Sequence, residues 1–158
     1  MRQSNIQLLI VAAVACLVAP AERVEGHCQV PCGIYGDQRR FDSMLEDTAT
    51  IAKAITQIGE LAGTHDANGH NQLARWVATK ESHATTVQHT IADYFMAQRI
   101  KASDPEYGKK LMAAHKVMVA AMKAKQAADP ATAKALEQSI LDFFEAYAGK
   151  PYQAAHVH

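Results

Sequence analysis

Apolar residues recur every three or four positions along four separate stretches of this 158-residue chain. Such spacing places them along one side of an α-helix, and a helix with one apolar side buries it against other helices. No stretch shows the alternation of apolar and polar residues that is typical of a half-buried strand. The sequence therefore predicts an all-α protein, an antiparallel four-helix bundle with short loops.

Start and stop residues predict where the first two helices lie. The first is predicted from Asp37, as its N-cap, to about Leu61, because Gly63 follows where a helix of this length would end. A polar linker that contains the turn signal Asn68-Gly69 leads into the second helix.

The third helix is predicted to start at Ser103-Asp104-Pro105 and the fourth at Asp129-Pro130, since a capping residue before proline is typical of a helix N-terminus. Gly149 and Pro151 are expected to end the fourth helix. The side chains predicted to face the core are Phe41, Met44, Leu45, Thr48, Ile51, Ile55, Ile58, Leu73, Trp76, Val77, Val87, Ile91, Tyr94, Phe95, Leu111, His115, Met118, Met122, Ala133, Leu136, Ile140, Phe143, Phe144 and Tyr147.

Composition and charge narrow the classes of partner. The chain is 49% hydrophobic and 20% charged, which is ordinary for one globular domain. Sixteen basic residues balance sixteen acidic ones, so no overall field attracts nucleic acid, and no nucleic-acid partner is expected. No phosphate-binding loop or nucleophile elbow supports a nucleotide-dependent or hydrolytic function.

The first 26 residues have the pattern of an export signal. Arg2 precedes a small and apolar run between Ile6 and Ala19 that is broken only by Gln7. As a helix this run spans about 21 Å, short of the roughly 30 Å hydrocarbon core, so a permanent membrane span is not expected. The sequence predicts an exported protein, periplasmic or extracellular.

Two cleavage positions fit a signal peptidase, one after Ala19-Pro20-Ala21 and one after Val24-Glu25-Gly26. The second leaves His27 as the new N-terminus. Another interpretation makes Val14-Ala15-Cys16 a lipoprotein signal with a retained, lipidated cysteine, although Ala13 fits that signal poorly. The favoured organisation is a removed segment 1–26, a hook 27–36, a helical bundle 37–150 and a tail 151–158.

The hook contains the residues with the most distinctive chemistry, in the segment His27-Cys28-Gln29-Val30-Pro31-Cys32-Gly33-Ile34-Tyr35. In an exported chain the simplest interpretation of Cys28 and Cys32 is a disulfide. The alternative is a metal site, because a free His27 amine, the Cys28 amide and both thiolates would supply two nitrogens and two sulfurs in one plane. Such a set suits nickel(II) or copper(II), whereas zinc prefers a tetrahedral site.

Two further hook groups suit redox chemistry. The His27 imidazole is available as an axial fifth ligand, and Tyr35 is placed to cover the open face. Thiolates and a deprotonated amide donate electrons strongly and would lower the potential of a nickel(III)/nickel(II) couple. One-electron cycling is therefore chemically reasonable at this site.

The hook resembles that of the nickel superoxide dismutase family, whose mature N-terminus has the form His-Cys-x-x-Pro-Cys-Gly-x-Tyr. By this resemblance, the His27 amine and imidazole, the Cys28 amide and thiolate, and the Cys32 thiolate are nickel ligands, and Tyr35 guards access to the metal. Asp93-Tyr94-Phe95 resembles a family motif whose tyrosine approaches the active site. Asp129-Pro130-Ala131-Thr132 resembles the start of the family's last helix.

The resemblance implies dismutation of superoxide with one nickel ion per subunit, a four-helix-bundle subunit, a homohexamer, and a maturation peptidase that exposes His27. Gln29 stands where many members have an acidic residue. Asp42 and Glu46 are both candidates for a family glutamate that contacts the ligand histidine, and the family's arginine partner has no match. Many members have a short leader removed by a dedicated peptidase, so cytoplasmic maturation is the alternative to export.

Two other functional classes fit the same residues. One is an exported nickel or copper carrier without turnover, and the other is a structural bundle with a disulfide between Cys28 and Cys32. The remaining histidines are interpreted as surface or hydrogen-bonded side chains and not as ligands. They are His65, His70, His83, His89, His115, His156 and His158.

Overall fold

A computed structural model describes residues 36–154. Its helices are α1, Asp37–Leu61; α2, Ala67–His89; α3, Tyr107–Gln126; and α4, Pro130–Ala148. A π-helical segment, Thr90–Arg99, continues α2 without a break. No strand occurs in residues 36–154, which confirms the predicted all-α four-helix bundle.

Each helix packs against two neighbours, so the four helices form a closed ring around one core. α1 contacts α2 and α4, and α3 contacts the same two helices on the other side. The first, second and fourth predicted stripes supply most of the large buried side chains, which include Phe41, Met44, Ile51, Ile55, Val87, Ile91, Phe95, Leu136, Ile140 and Phe143. Between residues 36 and 154, no helix combines the length and apolar character needed to cross a membrane.

Aromatic rings fill the end of the core where α1 begins. The ring centroid of Phe41 lies 4.8 Å from that of Phe95 and 5.2 Å from that of Phe143, and Phe95 meets Phe143 edge-to-face at 5.0 Å. Burying each such ring contributes about 1.5–3 kcal/mol, and paired rings add roughly 0.5–1.5 kcal/mol. This layer joins α1, the π-helical segment and α4.

The buried side of α3 differs from the predicted one. His115 and Met122 are exposed, and the side that faces the core carries mostly alanine: Ala114, Val117, Ala120, Ala121 and Ala124. Val77 of α2 is exposed as well. The prediction followed the larger side chains, whereas small residues let α3 approach its neighbours closely.

The predicted end of α1 at Leu61 is confirmed, although Gly63 is not in the left-handed conformation. Two predicted helix starts differ in detail. Asp37 is the first residue of α1 and not its cap. α3 starts at Tyr107, two residues after Pro105.

The predicted ends of α4 are confirmed. The Asp129 carboxylate accepts a hydrogen bond from the Ala131 backbone N–H at 2.9 Å. Gly149 ends the helix with a φ of 69°, the left-handed conformation that glycine adopts without strain.

Lys80 is a buried cation on α2 that no sequence pattern indicated. The residue is 4% exposed, and Nζ donates hydrogen bonds to the carbonyl oxygens of Ala124 and Lys125 at the C-terminal end of α3. The last carbonyls of a helix have no partner within it and carry partial negative charge. Lys80 therefore caps α3 from the neighbouring helix.

The expected turn at Asn68-Gly69 is instead the first turn of α2. Asp66 is the N-cap, and its Oδ1 accepts a hydrogen bond from the Gly69 backbone N–H at 2.8 Å. A Cβ at position 69 would lie 2.5 Å from the Cβ of Thr64. Glycine is required here by close packing and not by turn geometry.

We predict that Gly69→Ala lowers the free energy of unfolding by about 1–3 kcal/mol, because the new methyl group collides with Thr64. Gly59→Ala is the matched control, since Gly59 lies in α1 with no atom near its Cβ position. Alanine there should stabilise the protein by up to about 1 kcal/mol. Urea unfolding monitored by circular dichroism measures both changes, and a stabilising Gly69→Ala would contradict the assigned contact.

Candidate metal centre

The predicted ligands His27, Cys28 and Cys32, and the predicted gate Tyr35, lie outside the described residues. Tyr94 is the one predicted site residue within them. Among residues 36–154, no group of three or more histidine, cysteine or acidic side chains is placed to hold a metal ion. The hook supplies thiolate and nitrogen donors, and that chemistry fits nickel.

The side chain of Asp37, the first residue of α1, accepts hydrogen bonds from three side chains on other elements. Tyr94 Oη donates to Oδ1 at 2.6 Å, while Tyr147 Oη and Arg99 Nη2 each donate to Oδ2 at 2.8 Å. We name these four residues the Asp37 clamp. The clamp joins the first turn of α1 to the π-helical segment and to the last turn of α4. Asp37 itself follows Tyr35 by two residues in the sequence.

The clamp consists of one carboxylate and three hydrogen-bond donors. Burial acts to raise the pKa of Asp37, but hydrogen bonds from Arg99, Tyr94 and Tyr147 outweigh it and hold the pKa below its usual value of 3.8. Burial and the Asp37 carboxylate raise the pKa of Tyr94 to about 12 and also raise the pKa of Tyr147. Near neutral pH both phenols are therefore protonated and Asp37 is ionised.

The π-helical segment explains how two of its side chains reach one carboxylate. Its hydrogen bonds join residues five apart, as in the bond from the Ile100 backbone N–H to the Phe95 carbonyl at 2.8 Å. Tyr94 and Arg99 are also five apart, so the wider turn places them on the same side. In an α-helix they would diverge by about 140°.

Tyr94 also borders a small cavity beside the start of α1. The cavity has a volume of about 180 Å³ and is lined by Arg40, His89, Thr90, Asp93 and Tyr94. The guanidinium carbons of Arg40 and Arg99 lie 5.6 Å and 5.8 Å from the centroid of the Tyr94 ring. These cation–π contacts limit the movement of the ring. The role of Tyr94 toward a metal stays a prediction.

Neither candidate for the family glutamate is the buried carboxylate of α1. Glu46 is exposed, and Asp42 accepts a hydrogen bond from Tyr152 Oη at 2.7 Å. The neighbouring Asp47 is 9% exposed, and its Oδ1 accepts a hydrogen bond from His83 Nδ1 at 2.6 Å. Burial raises the pKa of Asp47, against the effect of His83.

The sequence does not predict the Asp37 clamp as a unit. Its patterns indicate a helix cap at Asp37 and a core side chain at Tyr147, and none points to Arg99. A spacing of five between Tyr94 and Arg99 is not a pairing distance on an α-helix, so only knowledge of the π-helical segment links them. His83 was interpreted correctly as a surface or hydrogen-bonded histidine.

Fold and sequence together define a helical-bundle protein with a cysteine- and histidine-containing hook ahead of its first helix. The family model for nickel-containing superoxide dismutase matches residues 22–150, which include the hook and all four helices. The chain belongs to the nickel-containing superoxide dismutase family, which implies oxidoreductase activity on superoxide and a nickel cofactor. Comparisons with curated proteins and with solved structures gave no match.

We predict that Asp37→Asn lowers the free energy of unfolding by about 2 kcal/mol near neutral pH, because hydrogen bonds to a charged acceptor are lost. Since the folded-state pKa of Asp37 is lowered, its charge stabilises the fold above about pH 4 and loses that effect as the pH falls through the folded pKa.

Urea unfolding of wild type and Asp37→Asn, in steps from about pH 7 to about pH 2, should show the difference between them shrinking in acid. A difference that stays constant over this range would mean that the Asp37 charge does not stabilise the clamp.

Proposed function

We propose that the mature protein is a superoxide dismutase whose nickel ion is held by the hook. The ligands are the His27 amine and imidazole, the Cys28 amide nitrogen and thiolate, and the Cys32 thiolate. The observation that carries this assignment is the agreement of residues 27–35 with the family's hook at every fixed position, within a family match that spans residues 22–150.

Nickel, when bound, supplies a one-electron nickel(III)/nickel(II) couple that converts two superoxide ions and two protons to oxygen and hydrogen peroxide. The chain's own residues hold and shield it. The Cys28 and Cys32 thiolates donate electron density to the metal, and the His27 imidazole adds a donor that favours the higher oxidation state. Tyr35 limits access by anions larger than superoxide.

Tyr94 serves as a wall of the site and not as its proton source. Its hydroxyl proton is committed to Asp37 at 2.6 Å, and its pKa of about 12 opposes release of that proton near neutral pH. The guanidinium groups of Arg40 and Arg99 both contact the ring, beside the cavity described above. Because Asp93-Tyr94-Phe95 resembles the family motif whose tyrosine approaches the active site, this fixed ring would give the site a constant surface during turnover.

Maturation is part of the proposal, because a free His27 amine is a ligand. Removal of residues 1–26 creates that amine, and the export signal places the mature enzyme in the periplasm or outside the cell. One nickel ion per subunit and a hexameric assembly follow from the family resemblance. The thiols then bind nickel before they are oxidised.

We predict that Cys28→Ser and Cys32→Ser each abolish nickel binding, whereas Tyr35→Phe retains nickel and changes turnover or inhibition. Elemental analysis gives the metal content, and N-terminal sequencing verifies that every variant starts at His27. Active protein that keeps a residue before His27 would contradict the proposed coordination. A wild-type mass two hydrogens low, without metal, would instead favour a structural disulfide.

We predict that His27→Gln retains near-normal nickel content but loses most dismutase activity, because the amine, the Cys28 amide and both thiolates would still hold nickel while the imidazole donor is lost. The spectrum of the oxidised metal should change as well. His65→Gln, an exposed histidine in the loop before α2, is the matched control and should behave as wild type.

The carrier hypothesis predicts the opposite activity for the wild-type protein. A nickel or copper carrier has stoichiometric metal and no catalytic removal of superoxide. Wild-type protein with that behaviour would overturn the enzyme assignment.

A further inference from the structure

Asp37 is the first residue of α1, one position after the N-cap Gly36. A carboxylate in the first turn of a helix is stabilised by the partial positive charge of the free N–H groups there. Here the Asp37 carboxylate bonds Tyr94, Arg99 and Tyr147, all of which belong to other elements. The carboxylate oxygens of Asp37 thus accept hydrogen bonds from other elements of the bundle and not from α1 itself.

The clamp is not needed to bring these elements together. Directly beneath it, Phe41, Phe95 and Phe143 already join α1, the π-helical segment and α4 through buried ring contacts. Apolar packing has no directional preference of its own, whereas hydrogen bonds fix both distance and angle. The clamp therefore adds orientation to an interface that packing already holds.

The π-helical segment supports the same interpretation of the clamp. π-Helical turns are rare in proteins and are frequently found at functional sites. In this segment, residues five apart share a side, and that geometry delivers both Tyr94 and Arg99 to Asp37. The wider turn of the π-helical segment is therefore what allows both donors to reach Asp37.

The clamp orients the first residue of α1, where the chain enters the bundle. Cys32 precedes Asp37 by five residues, so an extended connection places its Cα no more than about 18 Å away. Errors of about 1 Å in the position of reacting groups can cost roughly a hundredfold in rate. The clamp therefore fixes the end of the short segment that carries the proposed ligands.

We propose that the Asp37 clamp fixes the point at which the metal hook joins the bundle, so that Asp37, Arg99 and Tyr147 are positioning residues for the nickel site. This inference rests on the proposed function, because it takes the hook as the nickel ligand. The three residues act through the hook backbone and do not contact nickel or superoxide. The clamp thus affects the geometry of bound nickel and the rate, but not the number of nickel ions bound.

The test compares nickel-loaded wild type, Asp37→Asn and Tyr147→Phe with Asp129→Ala. The last variant removes the N-cap at the opposite end of α4 from Tyr147 and lowers stability without touching the clamp. Measurements are nickel content, the visible circular dichroism of bound nickel(II), and the dismutation rate per nickel. Circular dichroism reports metal geometry whether or not the protein turns over.

Asp37→Asn should keep its nickel, show a changed visible spectrum and lose about tenfold in rate. Tyr147→Phe should change the spectrum in the same direction with a smaller loss, and it preserves the test if Asp37→Asn does not fold. Asp129→Ala should match wild type in spectrum and rate per nickel.

A wild-type spectrum and rate in both clamp variants would overturn the inference, even if both are less stable. Nickel-loaded wild type that does not remove superoxide would overturn the proposed function alone, since the spectra still decide whether the clamp shapes the site. A wild type that binds no nickel would overturn both.

Discussion

The contact of Phe41 with Phe95 and Phe143 is the interaction on which one whole end of the bundle depends. These rings come from α1, the π-helical segment and α4, which are far apart along the chain. Their burial brings the first turn of α1 beside the last turn of α4. The polar contacts at this end, including those of Asp37, lie on the same elements that this aromatic layer brings together.

Two layers with different physical roles lie at this end of the molecule. The inner layer is apolar and contributes most of the free energy of association between the elements. The outer layer is polar and sets directions, through one ionised carboxylate and two phenols that stay protonated near neutral pH. Strong packing and fixed geometry are thereby supplied by different residues.

The helices could be predicted because their signals are local. The stripe from Leu136 to Tyr147, the start at Asp129-Pro130 and the stop at Gly149 each lie within a few residues of the feature they determine. The hook could be recognised for the same reason, since its donors fall within nine consecutive residues.

Contacts between distant residues could not be predicted in this way. Asp37 has the sequence context of a cap, and its partners are 57, 62 and 110 residues away. Lys80 reads as a surface cation, although it meets the end of α3 more than forty residues later. The alanine side of α3 carries a weak hydropathy signal, so its larger exposed residues misled the assignment.

The pairing of Asp37 with Tyr147 has a consequence for the order of folding. The two side chains are 110 residues apart, so their hydrogen bond closes one of the longest loops in the chain. Tyr152, also 110 residues from its partner Asp42, adds a second closure beside it. During synthesis α4 emerges last, and only its docking brings both closures together. The side-chain bonds that hold the first turn of α1 are therefore complete only once α4 has docked.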